Sequence, residues 1–219
     1  MREYVILIAM MLGLPGVYWI LMQWQKPHFE EEKNQNRKFL KSLPEGIVVV
    51  VSELALIMIW DDYTKTEISG IMFVLLYTVL VVMTVLCMTD FWEKIVPNRI
   101  LGIMILTCFI EVGLQALWNV SQVLRLVPSM IIGLSFCVIS FGLSYMISYG
   151  SLGSGDVKLA ILLGIFLTSE YVVGTIFYGC VISALYSIVQ LCRKKLTRKD
   201  VLPFVPFLYI GLIITYLVG

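Results

Sequence analysis

The sequence is poor in charge and in the residues that bind metals. Only 14% of its 219 residues are charged, and His28 is the single histidine. None of the five cysteines belongs to a CxxC pair, and we interpret them as small apolar packing residues. A zinc site therefore lacks its ligands, and a Ser/His or Cys/His catalytic pair lacks its base. No run of Lys and Arg carries interleaved aromatic residues, so we predict no metal, no cofactor and no nucleic-acid partner.

Long apolar runs make up most of the chain. Hydrophobic residues are 59% of the total and the mean hydropathy is +0.92, which is far above the range of a soluble domain. Most runs approach the ~20 residues that a helix needs to cross about 30 Å of hydrocarbon. They fall at residues 4–22, 45–60, 69–89, 99–118, 126–148, 157–168, 170–191 and 202–218. We therefore predict an all-α polytopic membrane protein with about eight transmembrane helices, and we treat residues 1–219 as a single helical membrane domain.

The basic residues indicate how these helices are oriented. Lys and Arg near the ends of spans stay on the cytoplasmic side. With the N-terminus outside, only Arg2, Lys65 and Arg125 of the 16 basic residues fall outside the cell. The first run follows Arg2 but has no small-residue cleavage site, so we interpret it as a retained span. Residues 25–44 then form a cytoplasmic loop between the first two spans of a multi-pass protein of the cell membrane, in contact with lipid.

Asp90 lies at the end of an unbroken apolar run, in the segment TDFWEKIVPN. Proline cannot continue a helix and pushes the residue before it toward extended geometry. The span should therefore end shortly after Asp90, and the next should begin near Asn98. This places Asp90 in the last turn of a span, where it meets water without carrying a carboxylate to the bilayer centre.

Asp156 follows a run of glycine and serine in the segment GSLGSGDVKLA. Such residues favour neither helix nor strand, and non-helical backbone at membrane depth is tolerated only where protein or water satisfies it. We predict that a helix begins near Val157 with Asp156 at its N-terminal end, where the helix dipole favours a carboxylate. The glycine before Asp156 leaves backbone exposed for pairing with an extended substrate. The candidate substrate-binding residues flank the two aspartates: Gly153, Gly155, Pro97, Asn98 and Lys158.

The two aspartates are predicted at matching depth on the cytoplasmic face, which makes them candidates for one site. Two carboxylates within hydrogen-bond reach share a proton, so that one acts as a base toward water while the other protonates or polarises a scissile carbonyl. The pKa values then belong to the pair. We therefore predict Asp90 and Asp156 as the catalytic residues of an aspartic peptidase. Taken alone, either aspartate is more often a helix cap or a solvated interfacial residue.

Other charged residues are weaker candidates for a catalytic role. Glu53 and Glu111 lie inside spans and have no adjacent loop that admits a substrate. Glu93 is close enough to Asp90 to share its helical face, but we expect it at the surface. Lys158 lies two residues after Asp156 and would point to the opposite side of a helix, so we favour a headgroup-anchoring role for it over a catalytic one.

These residues resemble the motifs of a known family. The segment D-FWEKIVPN looks like the aspartate-then-IPN motif, and GSGDVKLA looks like the GxGDxKL motif, of bacterial type IV prepilin peptidases, the GxGD class of intramembrane aspartyl proteases. The stretch LPFVPFLYIG at 202–211 is similar to the family's proline-phenylalanine stretch before its last span. The resemblance covers residues 70–211, the prepilin-peptidase-like catalytic region. It implies that Asp90 and Asp156 are the catalytic aspartates.

The resemblance also implies a substrate. This is a pilin-like precursor, of the type IV prepilin, pseudopilin or Tad kind, with a short basic leader and an apolar helix, cut on the cytoplasmic side. Longer family members carry a cytoplasmic domain with two CxxC pairs between their first two spans, which accompanies N-methylation of the new terminus. The corresponding loop here has no cysteine. We therefore predict a peptidase without methyltransferase activity, nearest to the short forms of Tad-type and competence systems and to archaeal preflagellin peptidases.

Two functions of other classes remain as alternatives. A proton-coupled transporter also uses paired intramembrane carboxylates, but it would hold them near the midplane in broken helices of a repeated fold. A noncatalytic assembly subunit of a pilus or secretion machine would tolerate the loss of either aspartate. The sequence leaves open which bond is cut and whether the protein forms a homo-oligomer.

Overall fold

The described part of the chain is helical. The structure, a computed structural model, describes residue 16 and residues 35–65, 69–147, 153–194 and 202–218, and no strand occurs among them. The helices are α1 (Gln35–Thr64), α2 (Gly70–Glu93), α3 (Asn98–Ile147), α4 (Ser154–Phe166), α5 (Thr168–Cys192) and α6 (Val205–Val218). The predicted all-α class is confirmed.

Three of these helices are long and apolar enough to cross a membrane: Gly70–Phe91, Asn98–Ile147 and Thr168–Cys192. Helix α6 is apolar but shorter. The predicted span at 157–168 forms α4, whose 13 residues reach only about 20 Å, less than the roughly 30 Å of a hydrocarbon core. The chain is thus a helical membrane protein, while the predicted count of eight spans is not established. The predicted span at 4–22 lies outside the described residues apart from residue 16.

Helix α3 contains a break at Asn119. Its backbone there has φ −152° and ψ 80°, which is extended rather than helical. The Asn119 side chain accepts hydrogen bonds from the Gln122 N–H at 3.3 Å and the Ser121 hydroxyl at 2.7 Å. This is the N-cap arrangement that starts a new helix. Residues 98–118 and 120–147 are therefore two helical segments, in agreement with the predicted runs at 99–118 and 126–148.

The two segments of α3 fold back toward each other. Lys158, near the start of α4, donates a hydrogen bond to Asn98 at 3.0 Å, and Gly164, near its end, touches Gly133. Because about 9 Å of helix separates Lys158 from Gly164, Asn98 and Gly133 are within about 30 Å of each other. An unbroken helix would hold them about 50 Å apart. The break at Asn119 therefore makes a sharp bend.

Close backbone contacts hold α4 against α3. A Cβ on Gly133 would lie 2.3 Å from the Gly164 carbonyl oxygen, and a Cβ on Gly164 would lie 2.6 Å from the Gly133 carbonyl oxygen. The turn between α4 and α5 also contacts Gly133, through backbone atoms of Thr168. Thr168 has φ 57°, which is an uncommon backbone conformation for a β-branched residue. Membrane helices commonly use small residues in this way, because close approach gives van der Waals contact where the hydrophobic effect gives little.

The chain divides into two compact units, Met1–Val85 and Leu86–Gly219, with the boundary inside α2. In the first unit, Phe73 of α2 stacks on Tyr63 of α1 with ring centroids 4.9 Å apart and meets Trp60 edge-on at 5.6 Å. Such aromatic pairs add about 0.5–1.5 kcal/mol each beyond the burial of their area. Helix α1 begins at Gln35, so the later part of the predicted 25–44 loop is helical. All predicted site residues belong to the second unit.

Candidate active site

Asp90 lies in the last turn of α2, as predicted. The helix ends in an αL motif, in which Lys94 adopts φ 55° and its N–H donates to the Asp90 carbonyl at 3.0 Å. The Asp90 residue is only 4% exposed. A carboxylate that has lost its water needs hydrogen-bond partners from the protein. The identity of those partners therefore decides what Asp90 can do.

The carboxylate of Asp90 is bound by the first turn of α6. Its Oδ2 accepts a hydrogen bond from the Val205 N–H at 2.8 Å, and the neighbouring Phe204 amide also interacts with the group. The first N–H groups of a helix have no partner within the helix, and its dipole favours a negative charge at that end. Asp90 therefore acts as an N-cap supplied from another helix.

Asp156 lies in the first turn of α4, at the N-terminal end as predicted, although the helix begins at Ser154 rather than near Val157. Gly153 is the N-cap residue, and its carbonyl accepts the N–H groups of Asp156 at 3.1 Å and Val157 at 3.3 Å. The Asp156 carboxylate folds back over Gly153, where a Cβ would lie 2.9 Å from its Oδ2. Gly153 therefore supplies the space that this side chain occupies.

The two carboxyl groups act on each other. Burial, and secondly the charge of Asp90, raise the pKa of Asp156 from 3.8 to about 6. A like charge shifts a pKa only at close range, because solvent and salt screen distant charges. Asp90 and Asp156 thus share one site, although 65 intervening residues separate them in the sequence.

The motifs that carry the two aspartates also touch directly. A Cβ on Gly155 would lie 2.9 Å from the Val96 Cβ, so the start of α4 packs tightly on the connection between α2 and α3. Pro97 ends this connection, and its carbonyl accepts the Ile100 N–H at 3.1 Å to begin α3. The hydrogen bond from Lys158 to Asn98 is a second link between the same two motifs. The structure thus brings all seven predicted site residues into one region.

Two features of this region differ from what the sequence indicated. The Lys158 amine, interpreted mainly as a headgroup anchor, binds the Asn98 side chain. The contact between Asp90 and Val205 was not foreseen. A signal for it was present, because the segment LPF before α6 contains no Ser, Thr, Asp or Asn to cap the helix. No group of His, Cys, Asp and Glu able to hold a metal ion occurs in the ranges that the structure describes.

The raised pKa of Asp156 gives a test of the structure in which no substrate is needed. A carboxyl whose pKa is higher in the folded protein stabilises it fully below about pH 3.8 and loses that contribution as the pH rises through about 6. Asp156→Asn has no such titration. We therefore expect the melting temperature of the variant, relative to that of the wild type, to rise between about pH 4 and pH 6 and to stay level above that. A difference that is constant with pH would contradict the burial of Asp156.

The fold and the site define a helical membrane protein in which motifs from separate helices pack together and the charge of one carboxyl group raises the pKa of the other. The model of the type IV leader peptidase family matches residues 77–188, which contain both aspartates, and the chain belongs to that family. The family resemblance seen in the two motifs is confirmed. The chain is 33% identical over 73 residues to the prepilin leader peptidase/N-methyltransferase of Bacillus subtilis (strain 168). The matched part is 33% of this chain and 29% of that protein. No solved structure matches the chain.

Proposed function

We propose that this protein is an aspartic endopeptidase that removes the short basic leader from pilin-like precursors at the cytoplasmic face of the cell membrane. The observation that carries the proposal is the packing of the start of α4, which bears Asp156, on the connection that follows Asp90, and the raising of the Asp156 pKa by the charge of Asp90 supports it. Membership of the type IV leader peptidase family supports the same reaction, and the name of the Bacillus subtilis relative supports the class of substrate. The excess of basic residues on one side of the predicted spans supports the orientation.

The proposed chemistry uses both carboxyl groups and one water molecule. Asp156, whose pKa is raised, is the group that we assign the shared proton, and Asp90, whose carboxylate accepts the Val205 N–H, is the base. Asp90 takes a proton from water as the water oxygen bonds to the scissile carbonyl carbon, while Asp156 gives its proton to the carbonyl oxygen. The C–N bond then breaks as the proton on Asp90 passes to the leaving nitrogen, and one hydroxyl of the tetrahedral intermediate returns its proton to Asp156 as the carbonyl re-forms. The products are a leader with a free carboxyl group and a protein with a new N-terminal amine.

The flanking residues shape the place where the substrate lies. We assign this role to the residues predicted for it: Gly153, Gly155, Pro97, Asn98 and Lys158. The tight contact of Gly155 with Val96 and the bond of Lys158 to Asn98 support it, because together they fix the backbone around both aspartates. The apolar helix that follows the leader would pack laterally against the spans. Methyl transfer to the new terminus is not part of the proposed activity.

The experiment is cleavage of a defined precursor by the purified protein in lipid vesicles. The substrate is a synthetic peptide with a basic leader, a glycine and an apolar helix, and the products are identified by mass spectrometry. We expect one cut at the end of the leader and an unmethylated new terminus in the presence of a methyl donor. A protein that leaves such precursors intact between pH 5 and pH 8, but moves protons across the vesicle membrane, would be a transporter instead. A protein that does neither would be an assembly subunit.

A further inference from the structure

The described residues contain one contact at the site that the proposed chemistry has not used, which is the binding of Asp90 by the start of α6. We propose that the Val205 backbone N–H is a positioning group that fixes the Asp90 carboxylate for the reaction. This inference rests on the proposed function, since it assigns Asp90 a reaction to perform. It adds α6 to the catalytic machinery, although α6 carries neither of the aspartates.

Two backbone amides at the start of α6, those of Val205 and Phe204, interact with the Asp90 carboxylate, and Val205 makes the closer hydrogen bond. The Phe204 carbonyl accepts the N–H groups of Phe207 at 3.1 Å and Leu208 at 3.2 Å, which begins the helix. Pro206 has no N–H, so the first turn has one donor fewer to satisfy. The Val205 N–H is directed to the Asp90 Oδ2 at 2.8 Å. The helix therefore presents this donor to the carboxylate.

A single charged hydrogen bond of this kind is enough to orient a carboxylate. Both Asp90 and Val205 are buried, Val205 fully, so water does not compete for the bond. Hydrogen bonds to ionised acceptors are roughly twice as strong as neutral ones. With Oδ2 held, the orientations of the carboxyl group are restricted, which favours a fixed geometry for proton transfer from water. A base that rotates freely would spend less time in a reactive geometry.

The donor is itself held in place, because α6 packs on α5 through backbone contacts. A Cβ on Gly211 would lie 2.4 Å from the Thr175 carbonyl oxygen and 2.7 Å from the Gly179 nitrogen. A Cβ on Gly174 would lie 2.6 Å from the Thr215 Cγ2. Contacts this close leave no room for α6 to slide or rotate along α5. The Val205 N–H is thus carried on a rigid support, as a positioning group requires.

The test is a substitution that removes the Val205 N–H and keeps helix α6 intact. Val205 is the first residue of α6, where proline is well tolerated, so Val205→Pro deletes the donor with little harm to the helix. Val205→Ala is the matched control, because it shortens the side chain and keeps the N–H. We expect the kcat of Val205→Pro to be about 10²-fold below that of Val205→Ala, with the two KM values within about threefold of each other. If the Val205 N–H only stabilised the fold, kcat would not fall while KM stays nearly unchanged.

A second substitution covers the case in which Val205→Pro does not fold. Replacement of Val205 by its α-hydroxy acid, introduced at a reassigned codon, converts the N–H to an oxygen and leaves the side chain intact. It should reproduce the loss in kcat. If wild-type protein and Val205→Ala both cleave the precursor, and the ester form cleaves as fast as they do, the positioning proposal is wrong and the peptidase proposal stands. If the wild type itself does not cleave, the peptidase proposal fails, and this inference fails with it.

Discussion

Asp90→Asn and Asp156→Asn should each lower the rate of leader cleavage by about 10²–10⁴-fold while leaving the protein inserted in the membrane. The reason is that asparagine neither takes a proton from water nor gives one to the carbonyl oxygen. In the proposed reaction the two groups work as a unit, so the double variant should be little worse than either single variant. The measurement is the initial rate of precursor cleavage by purified protein in vesicles.

Asparagine is the informative replacement at position 90 because it keeps the contact with α6. Its side-chain oxygen still accepts the Val205 N–H, and Asn caps helices about as well as Asp. Asp90→Ala removes the cap, and it should destabilise the protein by about 1 kcal/mol more than Asp90→Asn does. Glu170→Gln is the matched control for charge, since Glu170 is an exposed acid at the start of α5. Full activity in either Asn variant would rule out the two-aspartate mechanism.

Gly133→Ala and Gly164→Ala should each destabilise the fold by about 3 kcal/mol or more. The new Cβ atoms would lie 2.3 Å and 2.6 Å from carbonyl oxygens of the facing helix, and backbone atoms cannot turn aside as a side chain does. Helix α4 would then have to move away from α3. Because α4 carries Asp156, cleavage should be lost together with stability. The measurement is the melting temperature of the protein in detergent, with cleavage assayed on the same samples.

Gly142→Ala is the control for these two substitutions. It lies in the same segment of α3, but a Cβ there would meet nothing within 4 Å. Alanine is favoured over glycine inside a helix by about 1 kcal/mol, so this variant should be as stable as the wild type or slightly more stable. If all three alanine variants melted at the same temperature, the close contact between α3 and α4 would be excluded.

The positions of the aspartates at helix ends could be predicted, because they depend on local sequence. The run of apolar residues before Asp90 and the Pro97-Asn98 pair after it determine where α2 ends and α3 begins. The glycine-rich segment before Asp156 likewise marks the start of α4. Each of these signals lies within a few residues of the helix end that it predicts. No tertiary contact is needed to interpret them.

What could not be predicted depends on contacts between distant residues. The Val205 N–H and the Asp90 carboxylate are 115 positions apart, and nothing near Asp90 shows that a helix start will approach it. The contact between Gly133 and Gly164 likewise depends on how α3 packs against α4, and the sequence near either glycine does not show it. The separate short run at 157–168 could be predicted, but a run of apolar residues does not show whether the helix spans a membrane, and the 13 residues of α4 reach only about 20 Å.

The most direct test of the central claim is the titration of the Asp156 carboxyl group, observed by infrared or carbon-13 spectroscopy of labelled protein in the wild type and in Asp90→Asn. We expect a midpoint near pH 6 in the wild type, since burial and the charge of Asp90 both raise the pKa of Asp156. In Asp90→Asn the charge is gone and burial stays, so the midpoint should fall but not reach the ordinary value of 3.8. The same midpoint in both proteins would show that the two carboxyl groups do not form one centre.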